Sequence, residues 1–220
     1  MGKNNSSKCV VKPVFDELLR TKKLRSFLTM VLPKGVAVGT VNEDGVMYEG
    51  HPHERAIPPI PQFLDWCRNH TDELVNPLIA YKRVNGNPKY KFEGYTHPDV
   101  YIETSNIRVV IEAKWTEPRI TSHTTWRKEG ERDQLIRHMD ALLPYDENDR
   151  KPVYGLFLID ENGKISKNSL NNLFSQKWYF KSSLPHRLED KTYKTIIDGF
   201  CGVYTWQDVK DSLNLSVPNI

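Results

Sequence analysis

The stretch Tyr95-Thr96-His97-Pro98-Asp99-Val100-Tyr101-Ile102-Glu103-Thr104-Ser105-Asn106-Ile107-Arg108-Val109-Val110-Ile111-Glu112-Ala113-Lys114-Trp115 decides how the chain is read. Two β-type runs flank Ser105-Asn106. Val100 and Ile102 alternate with Asp99, Tyr101 and Glu103; Val109, Ile111 and Ala113 alternate with Arg108, Val110, Glu112 and Lys114. Period-two alternation puts Glu112 and Lys114 on one face of their strand. If Ser105-Asn106 are the central residues of a tight hairpin turn, Thr104 pairs with Ile107. Counting outward from that pair brings Asp99 opposite Glu112. Directly paired residues have Cβ atoms roughly 4.5–5.5 Å apart. Two carboxylates at that distance repel unless a positive charge lies between them. A hard divalent cation suits this arrangement, because Mg²⁺ takes one or two carboxylates with water and phosphate oxygens. Lys114 lies two residues along the same face. Alternating charge is also what a solvated sheet face shows; the combination with the register is what points to a site.

Pro98-Asp99, a spacer, then Glu112-Ala113-Lys114 resembles the motif of the PD-(D/E)XK nuclease superfamily. The resemblance covers about residues 90–145. It implies an α/β fold, a restriction-endonuclease-like αβββαβ core with a mixed central sheet flanked by helices, plus N- and C-terminal helical additions. On that basis residues 1–220 form one domain: an N-terminal extension (1–56), the core (57–160) and C-terminal additions (161–220). It also implies Asp99, Glu112 and the Ala113 backbone carbonyl as ligands of Mg²⁺ or Mn²⁺, with Lys114 as a catalytic cation. Members often carry a Gln on the helix after the Glu-x-Lys strand, and Gln134 in Arg132-Asp133-Gln134-Leu135 matches it. The aromatic that often follows four residues later is replaced by His138, read as a structural histidine. A further acid often comes from the helix before the sheet; Glu54, Asp65, Asp72 and Glu73 are the candidates, and Glu73, on the helix nearest the sheet, is the expected further metal ligand.

Composition sets the bounds. A chain of 220 residues is one domain, or one with appendages. Cys9, Cys67 and Cys201 are far apart and odd in number, which argues for reduced thiols in a cytoplasmic protein rather than disulfides or zinc. A net charge of +3 is too mild to argue nucleic-acid binding by itself. No apolar run reaches the length of a membrane span. Met1-Gly2-Lys3-Asn4-Asn5-Ser6 fits the N-myristoylation pattern, but nothing else points to a membrane.

Along the chain, Pro13 to about Met30 reads as one amphipathic helix with a basic run Arg20, Lys22, Lys23 and Arg25. Val36–Val41 and Val46–Tyr48 read as a hairpin around Asn42-Glu43-Asp44-Gly45. His51-Pro52-His53 invites a metal reading but lacks a third ligand with recognisable spacing. Gln62 to about Val75 reads as a helix, Leu78–Val84 and Lys89–Gly94 as strands, and Glu131–Leu143 as a helix. Trp126-Arg127-Lys128 is a loop suited to phosphate and base contacts. Val153–Ile159 reads as a central buried strand. Leu170–Phe180 reads as a helix, Phe200–Tyr204 as a strand, and Thr205-Trp206-Gln207-Asp208 as a capping box.

Together these imply metal-dependent phosphodiester hydrolysis of nucleic acid, DNA foremost, by an endonuclease. The alternative is a catalytically inactive nucleic-acid-binding or scaffold protein of the same fold. A homodimer would suit cutting of both strands.

Overall fold

A computed structural model describes residues 10–48, 56–70, 95–115, 132–143 and 151–217. The expected strands at 78–84 and 89–94, His51, His53 and the 126–128 loop lie outside these residues.

The chain enters through α1 (Lys12–Arg20) and α2 (Leu24–Val31). The single helix expected over 13–30 is two. Lys22 adopts a left-handed φ of 56°. The Lys23 N–H donates to the Leu18 carbonyl and the Lys22 N–H to the Leu19 carbonyl. That pair of bonds is a Schellman motif, which closes a helix while its apolar stripe continues in the next one.

β1 (Val41–Tyr48) is also not a hairpin. It is one strand, antiparallel to β2 (Val100–Thr104), with Val41 opposite Thr104 and Val46 opposite Ile102. The residues between them bulge out of the ladder, which is how a strand absorbs extra length. Gly45 sits on the partner strand: a Cβ there would lie 2.4 Å from the Glu103 carbonyl oxygen. β1 falls in the region expected to be an extension, yet it belongs to the same sheet.

β2 and β3 (Arg108–Lys114) form the expected hairpin, with Val100 opposite Ile111 and Glu103 opposite Arg108. The turn is clasped from outside. The Ser105 N–H donates to the Thr40 carbonyl, Asn106 Nδ2 to the Ala37 carbonyl, and Ser105 Oγ accepts from the Thr40 N–H. β4 (Val153–Ile159) runs parallel to β3, and β5 (Phe200–Thr205) parallel to β4. Among the described residues the sheet is five-stranded and mixed, in the order β1-β2-β3-β4-β5.

Helices cover both faces, giving a three-layer α/β arrangement. On one face Phe15, Leu18, Phe27 and Trp206 pack on Val100, Ile102 and Ile111. Trp206 opens α8 (Trp206–Leu213), whose capping box forms as expected: the Asp208 N–H donates to Thr205 Oγ1 and the Thr205 N–H to the Asp208 carboxylate. On the other face Leu135 and Met139 of α4 (Gln134–Leu142), with Phe174 and Phe180, pack on Tyr101, Val110 and Phe157. The helix expected over 170–180 is split into α5 (Lys167–Phe174) and α6 (Lys177–Ser183), followed by a 3₁₀ turn at Pro185–Arg187 and α7 (Thr192–Asp198). α3 (Pro61–Asn69) packs against that 3₁₀ turn.

A buried ionic cluster fixes α4 to this C-terminal segment. The Asp140 carboxylate is gripped by Arg132, by Arg187 Nε at 2.5 Å and by His186 Nε2 at 3.0 Å. Arg187 also donates to the Leu143 carbonyl at 2.6 Å, completing the C-terminal end of α4. Burial alone would raise the Asp140 pKa; the neighbouring His186, Arg132 and Arg187 reverse that and hold it well below the usual carboxylate range. Among the described residues, no helix is long and apolar enough to cross a membrane.

Candidate active site

The site lies where β2 begins and β3 ends. Asp99 stands one residue before the first paired residue of β2. Its Oδ2 accepts the Ala113 backbone N–H at 2.7 Å. Peptide groups alternate direction along a strand. The Lys114 carbonyl accepts from Asp160 on the β4 side. The Ala113 N–H and C=O therefore face the β2 side, toward Asp99.

Glu112 is 1% exposed, on the face of β3 covered by α4. Its Oε1 accepts from Lys114 Nζ at 2.6 Å, and its Oε2 lies 3.0 Å from His138 Nε2. Burial alone would raise the Glu112 pKa; the Lys114 charge and the His138 contact outweigh it and leave the carboxyl below its ordinary value. Lys114 Nζ also donates to Gln134 Oε1 at 3.3 Å. Gln134 reaches it because it opens α4, directly after Asp133, whose side chain caps the helix by accepting the Ile136 N–H.

His138, expected to be only structural, touches the site. It lies four residues after Gln134 and so on the same helix face. Burial lowers its pKa more than the Glu112 contact raises it, so the ring is neutral. A neutral imidazole facing a carboxylate carries its proton on that nitrogen, so Nε2 donates to Glu112. Nδ1, 2.6 Å from Thr96 Oγ1, then accepts the threonine hydroxyl. Thr96 is held in turn by paired backbone bonds with Ile57, at 2.8 and 2.9 Å. The i, i+4 spacing from Gln134 was the sequence signal for His138; Thr96 carried none.

Asp133, which caps α4 beside the site, is a perturbed acid as well. Burial lifts its pKa to about 7, against the lowering effect of the Ile136 N–H; the Tyr179 hydroxyl, 2.7 Å from Oδ2, also lowers it, and the Glu112 charge raises it further.

Of the expected site residues, Asp99 thus bonds the Ala113 N–H, while Glu112 and Gln134 are both bonded by Lys114 Nζ. Glu54, Asp72 and Glu73 lie outside the described residues. Asp65 is exposed on α3 and ion-paired with Arg68 of the same helix.

Among the described residues, no group of three His, Cys, Asp or Glu side chains is placed to hold a metal. The donors expected from the sequence are oxygens only: the Asp99 and Glu112 carboxylates and the Ala113 backbone carbonyl. That set suits a hard cation that keeps most of its water, as Mg²⁺ and Mn²⁺ do, and not zinc. No family model matches the chain, and no curated protein or solved structure does either.

Proposed function

We propose that the chain is a metal-dependent nuclease of the PD-(D/E)XK type that hydrolyses phosphodiester bonds in nucleic acid, with DNA as the expected substrate. One observation carries the reading. Asp99, Glu112, Lys114 and Gln134, drawn from two strands and a helix, meet around the end of β3. The described order supports it as well: α1–α2, β1, β2, β3, α4 and β4 run α-β-β-β-α-β, with α3 inserted before β2.

Asp99, Glu112 and the Ala113 carbonyl would hold Mg²⁺ or Mn²⁺. Such an ion supplies an acidified water and neutralises charge on the scissile phosphate. The Asp99 bond to the Ala113 N–H fixes this carboxylate relative to the next strand. Glu112 is oriented from both sides, by Lys114 and by His138. Lys114 acts as a cation, its ammonium ion-paired with the Glu112 carboxylate at 2.6 Å. Its Nζ, steadied by Gln134, is a donor for a phosphate oxygen on which charge develops.

A second reading has one observation in its favour. Both Glu112 oxygens are already engaged within the protein, as they would be in a nucleic-acid-binding member of the same fold that no longer cuts. Plasmid cleavage with purified protein in Mg²⁺, Mn²⁺ or EDTA separates the two readings. The nuclease reading expects metal-dependent cutting that disappears in Asp99→Ala and Lys114→Ala variants with wild-type circular dichroism. Binding without metal-dependent cutting on any DNA or RNA supplied overturns it in favour of the second. Cleavage that survives both substitutions removes this site from the chemistry.

A further inference from the structure

α6 carries an exposed face whose composition does not follow from packing. Tyr179, Phe180 and Ser183 are its buried residues. At 100° per residue they occupy one arc of the helix, and Lys177, Lys181 and Trp178 occupy the opposite one, spanning about 100°. Trp178 is 59% exposed, and both lysines are exposed. Neither lysine has an acidic partner among the ion pairs of the described residues. Trp178 meets the Tyr179 ring edge-on at 5.6 Å, yet most of its surface stays exposed between the two lysines.

The helix is also bonded to the head of α4. The Tyr179 hydroxyl donates to the Asp133 carboxylate at 2.7 Å. Ser183 Oγ accepts the Asp133 N–H at 3.2 Å, and the Ser183 carbonyl accepts Arg132 Nε at 2.9 Å. Three bonds thus clamp α6 to the two residues preceding Gln134, which bonds Lys114.

We propose that the Lys177–Trp178–Lys181 face of α6 is a platform for an unpaired nucleic-acid strand. A base stacks on Trp178, and the lysines pair with the flanking phosphates. The inference rests on the nuclease reading for its substrate class and extends it. It makes the preferred substrate one that carries a single-stranded segment. The chemistry is that of stacking platforms generally: every base presents a π-face, and the backbone supplies regular negative charge.

The test is a tryptophan-fluorescence titration of the full chain in EDTA, using an oligo-deoxythymidine, a blunt duplex and a duplex with a deoxythymidine tail. The oligomer and the tailed duplex are expected to quench emission and to bind more tightly than the blunt duplex. Trp178→Ala should remove most of the quench and weaken oligomer binding about ten-fold, with Trp178→Phe recovering part of the affinity. Lys177→Ala with Lys181→Ala should lower the slope of log affinity against log salt by about 1.4. In the cleavage assay Trp178→Ala should raise KM on the tailed substrate and leave kcat unchanged. Wild-type affinity and KM in Trp178→Ala, with cleavage intact, overturn this inference and leave the nuclease reading standing. Quenching that depends on Trp178 without any cleavage supports the platform while the nuclease reading falls. Self-association abolished by Trp178→Ala, with no quench by any oligonucleotide, assigns the face to a second copy of the chain and overturns the inference.

Discussion

Replacing Asp133 by Asn should make the protein more stable near neutral pH, by an amount set by one buried proton. In the folded chain burial raises the Asp133 pKa from an ordinary 3.8 to about 7. The sign follows from proton linkage. Below about pH 4 the carboxyl is protonated whether the chain is folded or not, and its contribution is fully present. Between about pH 4 and pH 7 the unfolded chain releases the proton while the folded chain keeps it, so stability falls as pH rises. Above about pH 7 both states are ionised and the loss stops growing. A shift of roughly three pH units at about 1.4 kcal/mol each amounts to on the order of 4 kcal/mol, with about half of it lost by pH 5.5. Asn keeps the shape and the bonds. Its carbonyl accepts the Ile136 N–H, and its amide donates to the Tyr179 oxygen, whose hydroxyl hydrogen turns away. It has no proton to lose. Urea unfolding of wild type and Asp133→Asn across about pH 4.5 to 8 reads the difference directly, since other titrating groups cancel in the comparison. The variant should gain on wild type as pH rises and then hold level above about pH 7. A stability difference that stays constant over this range would refute the reasoning. It would mean that the Ile136 N–H and the Tyr179 hydroxyl hold Asp133 as a carboxylate despite its burial and the Glu112 charge.

Two further outcomes follow from the contacts around α4. His138→Phe removes the donor to Glu112 Oε2 and leaves the Thr96 hydroxyl without its acceptor, so it should cost about 2 kcal/mol in urea unfolding and lower kcat more than it changes KM; His138→Gln, which keeps a side-chain N–H, should recover part of both, and a Phe variant as stable and active as wild type would remove His138 from the positioning of Glu112. Arg187→Met deprives buried Asp140 of one of its two guanidinium partners and leaves the Leu143 carbonyl without its donor, so it should cost about 3 kcal/mol and lower the melting temperature; an unchanged melting temperature would show that Arg132 and His186 suffice.

Much of the site was legible because its geometry is local. Alternation on either side of Ser105-Asn106 specified both the turn and which residues share a face, and the observed β2–β3 register is the one that counting from Thr104 and Ile107 requires. The β-branched and aromatic run Val153–Ile159 marked a strand paired on both sides. Thr205 and Asp208, three residues apart, marked a helix start that needs no distant partner. Gln134 was placed near Lys114 by the resemblance to the nuclease motif alone; α4, packed across the face of β3, is what brings it there.

The misreadings share a cause. The apolar stripe of residues 13–30 runs through both α1 and α2, so periodicity does not reveal the left-handed Lys22 that divides them. Asn42-Glu43-Asp44-Gly45 has the composition of a turn; it is a bulge because β2 lies alongside, with the Glu103 carbonyl against Gly45. In both cases composition constrained the local backbone, and a partner distant in sequence selected the conformation.

By itself, then, the sequence determined the α/β class, the β2–β3 hairpin and its register, the central strand β4 and the cap of α8. Each depends on residues within a few positions of one another, where periodicity and turn chemistry act. Only the tertiary structure decided that β1 joins the sheet, that α6 is clamped to the head of α4, and that His138 completes the surroundings of Glu112. His138 meets Glu112 across 26 residues and Thr96 across 42. Contacts of that separation arise from how layers stack around the sheet, and burial then sets the charge state of the groups enclosed between them.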